Sequence, residues 1–124
     1  MPAGERFTCP CCGYLSFSEP PGSYDICEVC WWEDDLVQLC DPNYGGGANV
    51  ASLLRAQANF AAHGWCEDGM PPYVRTPPAA EARDPTWRRA ELEAADLQAV
   101  PPSSVWIGDR VDVEKAYYWR RSRA

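Results

Sequence analysis

The chain has 124 residues and a formal charge of −7, a length that suits one domain with an appendage. At 46% hydrophobic it is excluded from the disordered class, yet 12 prolines and 9 glycines demand much turn and loop. Such a chain buries a modest core and needs a metal ion or another cross-link to hold it.

Residues 1–75 carry three basic side chains against ten acidic ones, and 76–124 carry eight of each. Phosphate contacts need lysine and arginine, so the charge balance disfavours the first half as a polyanion binder. No apolar run approaches the roughly 20 residues of a membrane span. "MPAGERFTCP" lacks the apolar stretch of a secretory signal, and the expected location is cytoplasmic, where thiols stay reduced.

In chain order, 7–30 reads as two cysteine pairs joined by the turn formers "SEPPGSYD". The acidic-aromatic run "WWEDD" follows, then "DPNYGGGAN", expected to be flexible. Asn49 is the predicted N-cap of a helix over 50–63. Val50, Leu53, Leu54, Gln57, Phe60 and Ala61 share one side of it, Ser52, Arg55 and Asn59 lie opposite, and Gly64 stops it. "MPPYVRTPPAAEARDP" has no usable periodicity and reads as a linker. Asp84 as N-cap with Pro85 at the first helical position predicts a second helix, to Ala99. Residues 105–107 and 110–113 are expected to pair as a short hairpin across Gly108 and Asp109. The Arg-aromatic tail, 117–123, is expected to dock on the acidic half or trail in solvent, with RNA contact as the alternative.

The seven cysteines are an odd number, so they cannot all pair within one chain, and metal binding is favoured over a disulfide framework. Cys9 and Cys12 form one C-x-x-C pair, and Cys27 and Cys30 form a second. In such a knuckle both sulfurs converge on one ion; Pro10 fixes part of the first turn, and Gly13 can take a positive φ. Two knuckles complete a tetrahedral four-sulfur site suited to Zn²⁺. A four-thiolate site has no open position for water, so the metal reads as structural. Cys11 is the spare sulfur, packed beside the site. A Cys9–Cys11 pair is the alternative, with a cramped bite, and a redox-reactive thiol is the sharper reading of Cys11. Cys40 and Cys66 lie outside any ligand spacing and read as buried or partly buried thiols. His63, the single histidine, falls on the polar side of its helix, which disfavours a catalytic Cys–His pair. Trp31 follows the second pair where many knuckles place glycine, so the two turns are expected to differ.

The ordered set "CPCCGY", "PGSYDICEVCWWEDD", Gln38, "DPNYGGGAN" and "SLLRAQANFAAHG" resembles the bacterial cysteine-rich proteins named after their CPCC motif. The resemblance spans about 9–64, and residues beyond Pro78 fall outside it. It implies a small zinc-ribbon-like domain with the metal on Cys9, Cys12, Cys27 and Cys30, and implies no activity. Four-sulfur sites accept iron as well; cytosolic abundance and the ribbon resemblance favour zinc.

Glu33, Asp34 and Asp35 read as a solvated acidic edge. Together with Trp31 and Trp32 they would form a contact surface of aromatic anchors bordered by charge, with one tryptophan covering the metal site. "GGGAN" lacks the lysine and following Ser/Thr of a phosphate loop. The expected protein is thus α+β, with a zinc-binding domain over 1–75 and an extension over 76–124. Its expected role is a non-catalytic protein-interaction module. The alternatives are an immunity or antitoxin inhibitor of a basic toxin, and a thiol- or metal-dependent enzyme using Cys11 and the "WEDD" acids.

Overall fold

Two cysteine turns begin the fold, each closed by a single antiparallel bridge, Phe7 to Phe17 and Ile26 to Glu33. A computed structural model describes residues 6–66, 83–90, 102–108 and 110–120 of the chain. These residues are mixed α+β, with three α-helices and one two-stranded antiparallel sheet.

Helix α1, Leu36–Cys40, starts because the Asp35 carboxylate accepts the backbone N–H groups of Val37 and Gln38. Its inner face buries Leu36, Leu39 and Gln38. The Gln38 amide organises the loop that follows: Nε2 donates to the carbonyls of Tyr44, Asn49 and Ala51, and Oε1 accepts from Asn49. The Asp35 carboxylate also takes the N–H of Ala48. "DPNYGGGAN" is therefore a pinned loop, contrary to the expectation of flexibility.

Helix α2, Leu53–His63, begins three residues later than predicted, with Ser52 as its N-cap accepting from the N–H of Arg55. Asn49 does not cap it, because its amide is already paired with the backbone of Glu33 and with Gln38. Val50, expected on the inner side, lies 79% exposed ahead of the helix. Leu53, Ala56 and Gln57 face the core, and the helix ends at Gly64, left-handed at φ 88°.

The helix expected from Pro85 does not form over 85–90, which is a turn followed by non-helical chain. Asp84 does accept the N–H of Thr86, as a cap would. The next residues are drawn away by distant partners: Trp87 Nε1 donates to the Pro10 carbonyl and the Ala90 N–H to Gln57 Oε1. The rest of that predicted helix, 91–99, lies outside the described residues, as do 70–82 of the linker and 121–123 of the tail.

A 3₁₀ turn, Pro102–Val105, leads into strands β1, Trp106–Ile107, and β2, Arg110–Val111. They pair antiparallel in the expected hairpin, Trp106 opposite Val111 and Ile107 opposite Arg110. Val113, expected in the second arm, instead opens helix α3, Val113–Ala116, which Asp112 caps. A last 3₁₀ turn, Tyr118–Arg120, follows. Tyr117, Tyr118 and Trp119 are buried in the cluster that also holds Trp32, Leu39, Leu53 and the cysteines. Over 117–120 the tail thus docks on the N-terminal half. Among the described residues no helix is long and apolar enough to cross a membrane.

Candidate metal centre

The two C-x-x-C turns have the same backbone. In the first, the Gly13 N–H donates to the Cys9 carbonyl at 2.8 Å and the Cys9 N–H to the Tyr14 carbonyl at 2.9 Å. In the second, the Trp31 N–H donates to the Cys27 carbonyl at 2.9 Å and the Cys27 N–H to the Trp32 carbonyl at 2.8 Å. Gly13 has φ 82° and Trp31 φ 75°. Trp31 therefore adopts the glycine conformation, and the expected difference between the turns is absent. A bulky residue at that φ is strained, at a cost of about 1–3 kcal/mol.

The matched turns aim four sulfurs at one point. The Sγ atoms of Cys9, Cys12, Cys27 and Cys30 all lie within 4.8 Å of one another, and all four residues are fully buried. Cys9 and Cys30 are 3.6 Å apart, Cys12 and Cys27 3.8 Å. A tetrahedron with Zn–S bonds of about 2.3 Å has edges of about 3.8 Å, so the cluster is compatible with binding a metal ion. Cys11 stays outside this set although it is also fully buried. None of the seven cysteines is in a disulfide, and Cys40 and Cys66 are buried.

As thiols, Cys9, Cys27 and Cys30 are unequal. Burial pushes Cys9 and Cys30 well above the ordinary thiol range. Hydrogen bonds from Cys12, Cys30 and Cys9 pull Cys27 well below it against the opposing effect of burial, and Ser16 adds to the pull. The Ser16 hydroxyl lies 3.0 Å from Cys27 Sγ, and the Val29 N–H donates to the same sulfur at 3.3 Å. Cys27 is thus better prepared to carry negative charge than Cys9 or Cys30, and a bound cation would displace the protons held on those two.

An outer layer fixes the first turn. Tyr117 Oη donates to the Thr8 carbonyl, Gln57 Nε2 and Trp87 Nε1 both donate to that of Pro10, Arg83 Nε to that of Cys12, and the Asp84 N–H to that of Gly13. Thr8 Oγ1 donates to the Asp84 carboxylate at 2.6 Å, and Arg120 pairs with that carboxylate at 3.4 Å. Arg83 lies between the rings of Tyr14 and Trp87, about 5 Å from each centroid. The second turn is held by the Cys66 N–H, which donates to the Cys30 carbonyl. Sequence reasoning did not find Thr8, Ser16, Arg83, Trp87 or Tyr117 in these roles. The available signal was Gln57, an amide on the apolar side of α2.

The acidic run is not a solvated edge. Trp32, Asp34 and Asp35 are buried, and only Trp31 and Glu33 are partly exposed. Asp34 accepts the N–H groups of Gly22 and Ser23 and the Ser23 hydroxyl, while Asp35 caps α1. These carboxylates are inside because buried N–H groups need acceptors. His63 stacks on Trp65 with ring centroids 5.1 Å apart and is not part of the sulfur cluster.

No curated protein matches the chain. The pattern of one family, described as cysteine-rich CPCC, covers residues 7–81, more than half of the sequence and the whole of the sulfur cluster; the chain belongs to that family.

Proposed function

We propose that Cys9, Cys12, Cys27 and Cys30 hold one zinc ion as a closed structural centre in a zinc-ribbon-like, non-catalytic protein-interaction module. The observation that carries this is the burial of all four sulfurs within 4.8 Å of one another, which leaves no side open for water or substrate. Zinc is favoured over iron because it takes tetrahedral four-sulfur coordination without redox demands.

The interaction surface is narrower than "WWEDD" suggests. It consists of Trp31 and Glu33 together with exposed Ile26, bridged to Glu33, and exposed Glu28. The charge of −7 suits a basic partner, including a basic toxin held by an inhibitor of the antitoxin kind.

Metal analysis and native mass spectrometry of purified protein test the centre. One zinc per chain is expected, retained in Cys11→Ser and lost in Cys27→Ala. A folded, metal-free protein, or zinc content unchanged in Cys27→Ala, overturns it. Co-purification from the native host tests the surface: a basic partner should be lost in Glu33→Lys while the zinc stays. Retention of every partner by that variant refutes the surface.

A further inference from the structure

On the hairpin side of the molecule, a groove of about 430 Å³ runs between the Pro20–Pro21 turn and the β1–β2 hairpin. Its apolar lining comes from Phe7, both prolines, Trp106, Val111 and Val113. The Trp106 ring reaches across toward the turn; a Cβ placed on Gly22 would meet it at 4.0 Å. Trp106 nevertheless stays 48% exposed, and so does Ile107 beside it. The turn wall is preformed, since the Gly22 and Ser23 N–H groups are both fixed on the buried Asp34 carboxylate.

Among the described residues that line the groove, one is charged, Arg110. It makes no hydrogen bond or ion pair with another described residue. Arg110, Val111 and Val113 also line a second depression of about 260 Å³, together with Ile107 and Asp112. The Asp112 carboxylate in that depression is engaged in capping α3 through the Glu114 N–H. An apolar trough whose arginine has no partner among the described residues suits an apolar ligand carrying one negative charge, and a guanidinium fork matches a carboxylate with two parallel hydrogen bonds.

We propose that this groove binds the free C-terminal carboxylate of a partner polypeptide ending in apolar residues, with Arg110 as the carboxylate anchor and Trp106 as the apolar wall. The occupant is a chain end and not a small acid because the groove is not enclosed and shares Arg110, Val111 and Val113 with a second depression. A small-molecule pocket encloses most of its ligand, whereas an extended peptide end offers one face and places successive side chains in neighbouring hollows. Among the described residues the groove shares none with the surface around Trp31 and Glu33, and the proposal does not depend on that surface.

The test uses the full-length, metal-loaded protein and two fluorescent decapeptide pools, both ending in Leu, Val or Phe. One pool has free C-terminal carboxylates and the other is amidated. The free-acid pool should bind at least about tenfold more tightly, the scale of a charge-assisted bidentate pair. Arg110→Ala should abolish the preference and Arg110→Lys should retain part of it. Trp106→Ala should weaken both pools, with unchanged metal content and melting showing that the variants are folded. Equal binding of the two pools, no binding of the acid pool at millimolar concentration, or a preference that survives Arg110→Ala overturns the proposal. Displacement of the peptide by equimolar hexanoate reassigns the groove to small acids and overturns it as well.

Discussion

Gly13→Ala should be far more damaging than its size suggests, and Gly64→Ala provides the control. Both glycines are left-handed, at φ 82° and 88°, so alanine pays a similar backbone cost of about 1–2 kcal/mol at each. The surroundings differ. At Gly64 no described residue lies within 4 Å of an added Cβ, whereas at Gly13 it would sit 2.6 Å and 2.7 Å from two ring carbons of Trp87. The indole cannot step aside freely, because Nε1 is bonded to the Pro10 carbonyl at 2.9 Å and Arg83 packs over its ring. Displacing it loses that hydrogen bond, about 1 kcal/mol, and strains the packing by about 1–3 kcal/mol. The expected loss is about 3–6 kcal/mol for Gly13→Ala and about 1–2 kcal/mol for Gly64→Ala. Equilibrium urea unfolding of metal-saturated protein measures both. In a double-mutant cycle, Trp87→Ala should recover about 2 kcal/mol of the Gly13→Ala loss. Equal costs at the two glycines, or no coupling to Trp87, would refute the reasoning.

Three further outcomes follow from other buried polar groups. Burial would raise the Asp84 carboxyl, but hydrogen bonds from Thr8 and Thr86 and the nearby Arg120 win and hold it down at about 2. Its folded value is depressed, so its stabilisation is present above about pH 4 and lost as pH falls toward 2; Asp84→Asn should flatten acid unfolding in that window. The size is about 1–2 kcal/mol, since solvent screens an Arg120 side chain that is 28% exposed. Asp34 has the opposite sign. Burial outweighs its three donors and pushes it up to about 6, so stability should fall as pH rises from about 4 to 6. Urea midpoints across that range should show a drop of about 3 kcal/mol that Asp34→Asn removes; a flat profile in the wild type refutes the assignment. Gln57→Leu deletes the bonds to Pro10, Tyr118 and Ala90 at once and should cost about 3 kcal/mol or more, read by urea unfolding. A loss below about 1 kcal/mol would show that those buried groups find other partners.

What the sequence revealed was local. A C-x-x-C pair dictates its own turn, so the convergence of Cys9 and Cys12 with Cys27 and Cys30 was legible from spacing. Gly64 and the Gly108 turn were legible for the same reason, since a stop or a reversal is encoded within a few residues. The errors arose where a distant group competed for a local signal. Asn49 is as good a cap as Ser52, but Glu33 and Gln38 occupy its amide, and the helix starts at the next available cap. Asp84 and Pro85 form a sound helix opening, yet Pro10 and Gln57, more than thirty positions earlier in the chain, hold the following residues out of a helix. "WEDD" has the composition of a solvated edge, and the distant N–H groups at 22, 23 and 48, together with the start of α1, explain why two of its carboxylates are inside.

The two cysteine turns solve one problem in two ways. Each places a residue at positive φ directly after its second cysteine, and each has a tryptophan packed against the core beside it. In the second turn that tryptophan is Trp31 itself, and the backbone bears the strain. In the first turn the strain-free glycine is retained and the indole arrives from Trp87, which fits only because Gly13 has no Cβ. Trp87 lies beyond the region that matches the family, as do Arg83, Asp84 and Tyr117, which also bond to the first turn. The family-matched segment supplies the four sulfurs, while most of the first turn's cover comes from the chain that follows. Ordering of the sulfur cluster and docking of that later chain are therefore linked: each favours the other, and the coupling free energy is the same in both directions.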